Sequence, residues 1–195
     1  MAIQIKILKG DELKAALPEL AELRIKVFRD WPYIYDGNMD YEVGYLSRYA
    51  DTEGALIVGA FDEGRLVGAA TGEPLEQEVI QFRAPFEDKG LSPKEIFYLA
   101  ESLLEPAYRG QGIGHLFFDE REKHARSLGF ANAAFCAVIR PDNHPLKPDD
   151  YTSLDGFWRK RGYEKMAGGI VHFPWQDVGD TSETEKPMQV WIRTL

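Results

Sequence analysis

Hydrophobic residues recur along the chain with two spacings, and these predict strands and helices. Ile3, Ile5 and Ile7 alternate with polar residues, which is typical of a half-buried strand. A helical spacing follows, with Asp11 as the predicted N-cap, and its apolar positions are Leu13, Leu17, Leu20, Leu23 and Val27. The chain therefore begins with a strand and an amphipathic helix.

The same analysis extends to the C-terminus. A second helix is predicted over roughly 40–50, and the apolar runs 55–61 and 65–71 predict a hairpin because Asp-Glu-Gly joins them. Residues 73–94 are acidic and contain prolines, which indicates a helical excursion between strands. The later predictions are a central strand (96–104), a helix (112–128), a buried strand (133–139), a helix (152–161) and a closing strand pair (171–175 and 188–193).

Composition agrees with one domain of the α/β (α+β) class over residues 1–195. Apolar residues make up 44% and charged residues 28% of the chain, and no linker or repeat divides it. No apolar run approaches the roughly 20 residues that cross a bilayer, and the N-terminus lacks a signal-peptide pattern. A cytoplasmic protein without a membrane partner is expected. The single cysteine, Cys136, lies in an apolar strand and is predicted to be an inert core thiol.

The charge balance narrows the class of partner. The formal net charge of −9 argues against nucleic acid, since phosphate binding needs concentrated Lys and Arg. Residues 30–63 carry eight Asp or Glu and one base, Arg48. Such a stretch is usually a solvated face, but it can also attract a cationic amine.

A glycine-rich turn is the strongest chemical signal. Residues 108–114 read Tyr-Arg-Gly-Gln-Gly-Ile-Gly between an apolar run and an amphipathic helix. Backbone N–H groups in such a turn can point at an anion, and the helix dipole adds attraction. The turn is not a Walker loop, because it ends in Gly-His, and it lacks the third glycine of a dinucleotide fingerprint, because His115 stands there.

The pattern that remains, Arg-x-x-Gly-x-Gly at Arg109, Gly112 and Gly114, resembles the coenzyme A pyrophosphate loop of the GNAT acyltransferase superfamily. The order of predicted elements matches that fold over nearly the whole chain, and the specific motifs lie between Ile96 and Tyr163. The resemblance implies a mixed, mostly antiparallel sheet flanked by helices, with splayed central strands that bind acyl-CoA.

The resemblance also implies which residues bind the coenzyme. Leu103 and Leu104 take the place of a bulge whose backbone pairs with the pantetheine arm like an added strand. Arg109 and Gly110 begin the pyrophosphate loop, and the Arg109 side chain either reaches a phosphate or forms a surface salt bridge. The backbone N–H groups expected to hold the pyrophosphate belong to Gln111, Gly112, Ile113, Gly114 and His115.

The implied reaction transfers an acetyl group from acetyl-CoA to a primary amine of a small molecule or a peptide. The amine must lose a proton before it attacks, and Glu101 is the candidate base, directly or through a bound water, because it is a carboxylate within an apolar strand. The other interpretation of Glu101 is a solvent-facing residue or an arginine partner. Ser102 alternates to the opposite face and is expected to have a different role.

One position departs from the family. The tyrosine that protonates the departing thiolate is replaced by Trp158, in the run Trp-Arg-Lys-Arg-Gly-Tyr, and an indole N–H cannot act as an acid near neutral pH. Tyr151 or His144 can substitute, or solvent can protonate the thiolate. Trp158 is expected to pack against the coenzyme or the core.

The acceptor pocket is predicted from loops. The proline-containing segment 140–151 is expected to line it together with Trp31, Tyr33 and Tyr35, and the alternative for these aromatic residues is packing beneath the first helix. His144 belongs to the same segment. The four histidines show no metal-ligand spacing, so no metal is predicted.

Three functions remain open on the sequence. The first is an acetyl-CoA-dependent N-acetyltransferase, and the second is an acetyl-CoA-binding or sensor module without chemistry, which Trp158 favours. The third is the same enzyme with a longer acyl group, which the small residues Ala100 and Gly68 neither require nor exclude. The resemblance allows a homodimer, and no sequence feature decides the oligomeric state.

Overall fold

A computed structural model describes residues 3–195 and shows a seven-stranded mixed sheet with helices on both faces. The strand order is β1-β2-β3-β4-β5-β7-β6, which makes β4 the central strand. The predicted α/β fold class is confirmed. The strands are β1 (Gln4–Leu8), β2 (Leu56–Asp62), β3 (Arg65–Pro74), β4 (Ile96–Leu104), β5 (Asn132–Val138), β6 (Glu164–Trp175) and β7 (Thr184–Thr194). The helices are α1 (Gly10–Phe28), α2 (Met39–Asp51), α3 (Ile80–Glu87), α4 (Ile113–Ser127) and α5 (Asp155–Lys160).

Most elements agree with the hydrophobic pattern, and the differences lie at their ends. The first helix begins at Gly10 with Lys9 as its N-cap, not with Asp11. The helix predicted over 152–161 is shorter and begins at Asp155. The two closing strands are longer than predicted, because paired polar residues extend them beyond the apolar runs. The Asn38 side chain accepts hydrogen bonds from the N–H groups of Asp40 and Tyr41 and so caps α2.

Two packed layers cover the sheet. Helices α1 and α2 cover one face, where Leu20 and Leu46 are buried against Ile57. Helix α4 covers the other face and buries Phe117 against β2, β3 and β4. Because β4 lies at the centre, both of its faces are buried along its first four residues, which explains its nearly continuous apolar run.

One pair of neighbouring strands is parallel, and it separates. Strands β4 and β5 pair only from Ile96 to Tyr98, opposite 132–134. Beyond Tyr98, β4 remains paired with β3 and β5 remains paired with β7. The two central strands therefore diverge and leave a cleft in the middle of the sheet.

Candidate active site

The cleft between β4 and β5 exposes a part of the sheet that would otherwise be covered. Ser102 is exposed although it lies in the central strand. On the opposite wall, Ala137 and Val138 are partly exposed, and Ile139 is exposed. An extended ligand can therefore lie between the two strands and pair with backbone groups that have no neighbouring strand.

The direction of these backbone groups follows from the pairing of β3 with β4. The N–H of Glu105 donates to the carbonyl of Val67, so this pair is hydrogen-bonded, and hydrogen-bonded pairs alternate along an antiparallel ladder. Leu103 and Glu101 consequently direct their backbone groups toward β3, and Ser102 and Leu104 direct theirs into the cleft. The predicted backbone role of Leu103 is wrong for this reason, and Leu104 remains a candidate, joined by Ser102.

The bulge of β4 lies earlier than predicted. Thr71 pairs with Glu101 and Glu73 pairs with Tyr98, so β4 contains one extra residue between Tyr98 and Glu101, not at Leu103 and Leu104. Side chains alternate between the two faces of a regular strand, so Tyr98 and Glu101, which are three positions apart, would lie on opposite faces. The extra residue restores them to the same face, where Glu101 contacts Arg24 of α1 and Tyr98 packs against Phe82 of α3.

The glycine turn has the geometry of an anion site. Gly110 and Gly112 adopt φ of 75° and 84°, where a side chain is strained, and α4 begins directly after them at Ile113. Within the described chain, no protein acceptor takes the N–H groups of residues 111–114. The His115 N–H already donates to the Gly112 carbonyl at 2.9 Å, so it is less available than its predicted role requires.

The side chains around this turn also differ from expectation. Arg109 donates to the carbonyl of Leu104 at 3.3 Å, and among the described residues it forms no salt bridge. The His115 ring lies 4.8 Å from the ring of Phe157, which comes from α5. Helix α5 therefore contributes Phe157 to this end of the cleft, a contact that the sequence did not indicate.

Glu101 points from β4 toward α1 and contacts an arginine. Arg24 donates to both Glu101 oxygens, with Nε at 2.9 Å from each and Nη2 at 2.6 Å from Oε1. Arg24 also donates to the buried carboxylate of Glu42. Ser102 faces the other side and contacts α4, so the predicted separation of Glu101 and Ser102 is confirmed.

A second buried carboxylate lies near the same face. Glu73 Oε1 accepts a hydrogen bond from Arg48 at 2.6 Å, and Arg48 also contacts Glu78 at 3.2 Å. Burial, and then the nearby Glu78, raise the pKa of Glu73 to about 8. This carboxyl group therefore holds a proton at a pH where an ordinary glutamate has lost it.

The raised pKa of Glu73 predicts that stability falls as pH rises. The folded state binds this proton more tightly than the unfolded chain, whose ordinary pKa is 4.5, so unfolding releases protons and the stabilisation is lost between pH 4.5 and about 8. We expect Glu73→Gln to remove on the order of 1 kcal/mol or more of this decrease. Urea unfolding at several pH values measures it. The exposed Glu76→Gln is the control, and an unchanged pH slope in Glu73→Gln would contradict the assignment.

The aromatic residues predicted for the acceptor pocket divide into two groups. Trp31 lies against His144 and Tyr151 from the loop after β5, with ring centroids 5.1 and 5.9 Å apart. Tyr33 instead packs inward, 4.3 Å from Phe28 and 6.0 Å from the ring of Trp175 in β6. The structure thus brings Trp31, His144 and Tyr151 together as an aromatic surface.

Tyr33 and Tyr35 lie in more enclosed surroundings than we expect for side chains that line an open acceptor pocket. Burial, and then the charge of Glu101, raise the pKa of Tyr33 above its usual range. Tyr35 pairs with Asp177 in an isolated bridge to the loop after β6, and burial raises its pKa too. Both tyrosines therefore stay protonated at neutral pH. Their packing contacts hold the loop between α1 and α2 against the rest of the protein.

Arg140 connects the loops that carry the aromatic surface. It lies directly beyond β5, its side chain is 8% exposed, and it donates to the carbonyls of Pro32 and Tyr33. It also forms a bidentate pair with Asp177, at 2.7 and 2.8 Å. The connected loop includes Ile34 at φ 56°, a strained value for a branched side chain that surrounding contacts must maintain.

Replacing Arg140 is expected to loosen the aromatic surface. Arg140→Gln removes a buried ion pair and should lower the free energy of unfolding by about 2–3 kcal/mol. Hydrogen exchange should accelerate at the amides of Asp36 and Val178, which bond between the loop after α1 and the loop after β6, the two loops that the Arg140 side chain contacts. Lys147→Gln, in an exposed pair of the same loop, is the matched control. Equal exchange in both variants would mean that Arg140 does not hold these loops.

Trp158 packs against the core. Its ring lies 5.0 Å from Phe135 and 5.2 Å from Trp191, on the face covered by α4. Tyr163, five residues later, is fully buried and donates its hydroxyl to Glu122. Neither Trp158 in α5 nor Tyr163 just beyond it offers a proton to the cleft, and a coenzyme contact of Trp158 stays a prediction.

The remaining candidate groups are structural in the described residues. Cys136 is buried, and burial raises the pKa of its thiol to about 12, which agrees with an inert core thiol. No group of three or more His, Cys, Asp or Glu side chains in residues 3–195 is arranged to hold a metal ion. None of the helices described is both long and apolar enough to cross a membrane.

Four residues at or beside the cleft were missed by sequence reasoning. Arg121 is buried, the side chains of Arg24 and Arg140 are only 12% and 8% exposed, and the sequence signal of each is an ordinary charged position on a helix or in a loop. Strand alternation placed Ser102 on the face opposite the candidate base Glu101, but no specific role was predicted for it. Buried arginines of this kind have no local signature, because their partners lie on distant segments.

Comparison with protein families identifies one match. The model of the acetyltransferase (GNAT) family matches residues 19–148 of the chain. Among curated protein sequences, none matches the chain. The matched range includes Arg24, all of β4 and the glycine turn, so the family model and the cleft coincide.

Solved structures share the fold at low sequence identity. Ribosomal-protein-alanine N-acetyltransferase from Brucella melitensis has a TM-score of 0.65 and 16% identity, with 100% of both chains covered. The acetyltransferase yncA from Salmonella typhimurium, described as putative and solved with its cofactor acetyl-CoA, has 0.64 and 14%, covering 100% of this chain and 95% of that chain. A phosphinothricin acetyltransferase from Sinorhizobium meliloti in complex with AcCoA has 0.63 and 17%, covering 100% and 89%.

Proposed function

The chain belongs to the acetyltransferase (GNAT) family and is an acetyltransferase, and we propose that it transfers the acetyl group of acetyl-CoA to a primary amine. The observation that carries this proposal is the continuity of the cleft with the glycine turn. The cleft-facing backbone of Ser102 and Leu104 leads along β4 to the unpaired N–H groups at Gly112. A pantetheine arm and a pyrophosphate require this sequence of donors and acceptors.

The donor would be bound mostly by backbone groups. The N–H groups of residues 111–114 would hold the pyrophosphate at the positive end of α4. Arg109 lies at the same turn and donates to the Leu104 carbonyl. When the coenzyme binds, Arg109 can donate to a phosphate instead, and the freed carbonyl can accept from a pantetheine amide. The solved relatives that contain acetyl-CoA support the choice of donor.

The acceptor would lie between Glu101 and the aromatic surface. Its ammonium group loses a proton to Glu101, directly or through a bound water. The amine nitrogen then attacks the thioester carbon, and a cleft-facing N–H of β4 donates to the oxyanion that forms. The C–S bond breaks, the coenzyme leaves as a thiolate, and the nitrogen, which still carries two protons after its attack, releases one of them to solvent as the neutral amide forms.

The thiolate needs a proton, and Tyr151 is the proposed donor in place of the family tyrosine that Trp158 replaces. Burial raises the pKa of Tyr151, and Asp155 adds to this shift, so the hydroxyl is protonated at neutral pH. Its ring lies beside Trp31 on the aromatic surface. His144 on the same surface, or solvent, is the alternative donor.

The acceptor class is proposed from charge and shape. Even with Glu73 protonated, the carboxylates of Glu101, Glu42 and Glu78 outnumber the two arginines that contact them. A cationic amine of a small molecule or a peptide would meet a favourable field there, and Trp31 with Tyr151 would contact its apolar part. The same thiol-release assay with longer acyl-CoA donors tests whether the enzyme transfers acyl groups longer than acetyl.

Release of free thiol from acetyl-CoA tests the proposal. Purified protein is incubated with a panel of polyamines, aminoglycoside-like amines, amino acids and lysine-containing peptides, and binding of acetyl-CoA is measured separately. We expect thiol release that depends on one amine class. Binding of acetyl-CoA without amine-dependent release across the panel would contradict the proposed acceptor class. Failure to bind acetyl-CoA would contradict the proposed donor.

A further inference from the structure

Arg121 is a buried cation without a carboxylate partner in the described chain. It lies in α4, and 1% of its surface is exposed. Its neighbour Glu122 contacts Arg126, Arg161 and Arg193 instead. Burial of an unpaired charge costs several kcal/mol, so a residue of this kind needs strong compensating contacts or a functional reason.

The hydrogen bonds of Arg121 all go to neutral oxygens, most of them in the bulged region of the sheet, and its guanidinium also lies 5.0 Å from the centroid of the Phe118 ring. Nη1 donates to the carbonyl of Glu101 at 2.8 Å and to the carbonyl of Thr71 at 3.1 Å. Nη2 donates to the hydroxyl of Ser102 at 2.8 Å, and Nε donates to the carbonyl of Phe117 within α4. Arg121 thus joins the helix that starts at the glycine turn to the two strands beside the bulge.

The Glu101–Ser102 peptide group connects Arg121 to the cleft, because its carbonyl and its N–H point in opposite directions. In a trans peptide the carbonyl and the following N–H point in opposite directions. The carbonyl of Glu101 points toward β3 and accepts from Arg121, and the N–H of the same peptide belongs to Ser102 and points into the cleft. Convergence of the Thr71 and Glu101 carbonyls on one Nη1 atom agrees with this orientation.

A positive charge at the carbonyl end of a peptide strengthens the N–H end as a donor. Arg121 withdraws electron density from the Glu101 oxygen, which makes the Ser102 N–H more positive. The effect is large only where water is excluded, and Arg121 is buried although Ser102 is exposed at the cleft. The positive charge of Arg121 therefore acts on the cleft through the Glu101–Ser102 peptide and does not itself contact the ligand.

We propose that Arg121 is a positioning residue that orients and polarises the Glu101–Ser102 peptide, so that the Ser102 N–H binds the thioester oxygen and stabilises the oxyanion. This inference rests on the proposed acetyl-CoA reaction. The Ser102 N–H donates a hydrogen bond and keeps its proton throughout, so no further proton or electron is transferred. Arg121 itself does not touch the substrate.

The carbonyl stretch of bound acetyl-CoA reports on this donor directly. Acetyl-CoA labelled with ¹³C at the acetyl carbonyl is bound to the protein without an amine, and the infrared difference spectrum against ¹²C acetyl-CoA is recorded. We expect the stretch to lie at lower frequency than in free acetyl-CoA, because a strong donor weakens the C=O bond. A structural role of Arg121 alone would change stability or affinity but not this frequency.

Two Arg121 variants separate charge from packing. Arg121→Gln keeps a donor and removes the charge, and we expect it to lose most of the frequency shift and about 30-fold in kcat, with a much smaller change in the acetyl-CoA dissociation constant. Arg121→Lys keeps the charge and should keep part of the shift. Arg126→Gln, an exposed position of the same helix, is the matched control with the wild-type spectrum.

A third variant removes the proposed donor itself. Ser102→Pro deletes the N–H, and because this N–H does not belong to the β3–β4 ladder, the strand can retain its pairing. We expect it to lose the frequency shift completely. Circular dichroism and thermal unfolding check that each variant folds, and if Arg121→Gln does not fold, Arg121→Lys decides.

The outcomes separate this inference from the proposed function. A wild-type frequency in folded Arg121→Gln, or complete loss of the shift in folded Arg121→Lys, would overturn the role of the Arg121 charge. Binding of acetyl-CoA with no shift in the wild type would overturn the Ser102 donor and leave the acetyl-CoA site intact. Absence of acetyl-CoA binding to the wild type would contradict the proposed function first.

Discussion

Replacement of Glu101 by Gln is expected to lower the rate of acetyl transfer by about 100-fold or more while acetyl-CoA still binds. Glutamine has nearly the same shape and retains hydrogen bonding, but it cannot accept the proton of the acceptor ammonium. Because Arg24 binds the Glu101 carboxylate through two nitrogen atoms, the side chain is already oriented, and the substitution changes mainly its charge and basicity. Steady-state kinetics with the amine found in the thiol assay measure the change in kcat and KM.

Glu42→Gln is the matched control for this prediction. Glu42 is the second carboxylate on Arg24 and is a fully buried residue of α2, so its replacement disturbs the same arginine without removing the proposed base. We expect a loss of stability but a much smaller loss of turnover. If Glu101→Gln and Glu42→Gln reduce kcat equally, Glu101 acts only as a partner of Arg24. Unchanged turnover in Glu101→Gln would remove it from the mechanism.

Replacement of Gly112 by Val is expected to weaken acetyl-CoA binding by about 100-fold. Gly112 has φ of 84°, where a branched side chain is strained, and relaxation would turn the N–H groups at the start of α4 away from the pyrophosphate. The loss of two charge-assisted hydrogen bonds, each about 1.5 kcal/mol, gives an effect of this size. Isothermal titration with acetyl-CoA measures it.

Gly129 provides a control with almost the same backbone strain. It follows the other end of α4 with φ of 83°, and no atom lies within 4 Å of the position that a Cβ would occupy, as at Gly112. Gly129→Val should therefore lower the melting temperature by a similar amount and leave acetyl-CoA binding intact. Comparable loss of binding in both variants would show that destabilisation of α4, and not the turn itself, causes the effect.

The local features of this chain were predictable from sequence because their physical causes are local. The hairpin of β2 and β3 follows from two apolar runs around a short turn, and α4 follows from apolar spacing after a glycine turn. The positive φ values at Gly110 and Gly112 agree with their residue type. The opposite faces of Glu101 and Ser102 follow from strand alternation alone.

Other features were mispredicted because they depend on how distant segments pair. The register of β4 against β3 puts the bulge before Glu101, and this changes which backbone groups enter the cleft, so Leu103 was assigned wrongly and Ser102 was missed. The loop with Trp31 could not be placed beside Tyr151 before the sheet order was known. Register and loop contact are collective results of packing over the whole sheet.

The sequence by itself determined the order of elements, the glycine turn at Gly112 and the presence of a carboxylate in the central strand, since each depends on periodicity or on residue type within a few positions. Only the tertiary structure decided that Arg24 contacts Glu101, that Arg121 contacts the Glu101 carbonyl, and that the Ser102 N–H faces the cleft. The physical reason is that a buried charge or backbone group takes whichever partner the packed segments bring near it, and segments far apart in sequence bring those partners together.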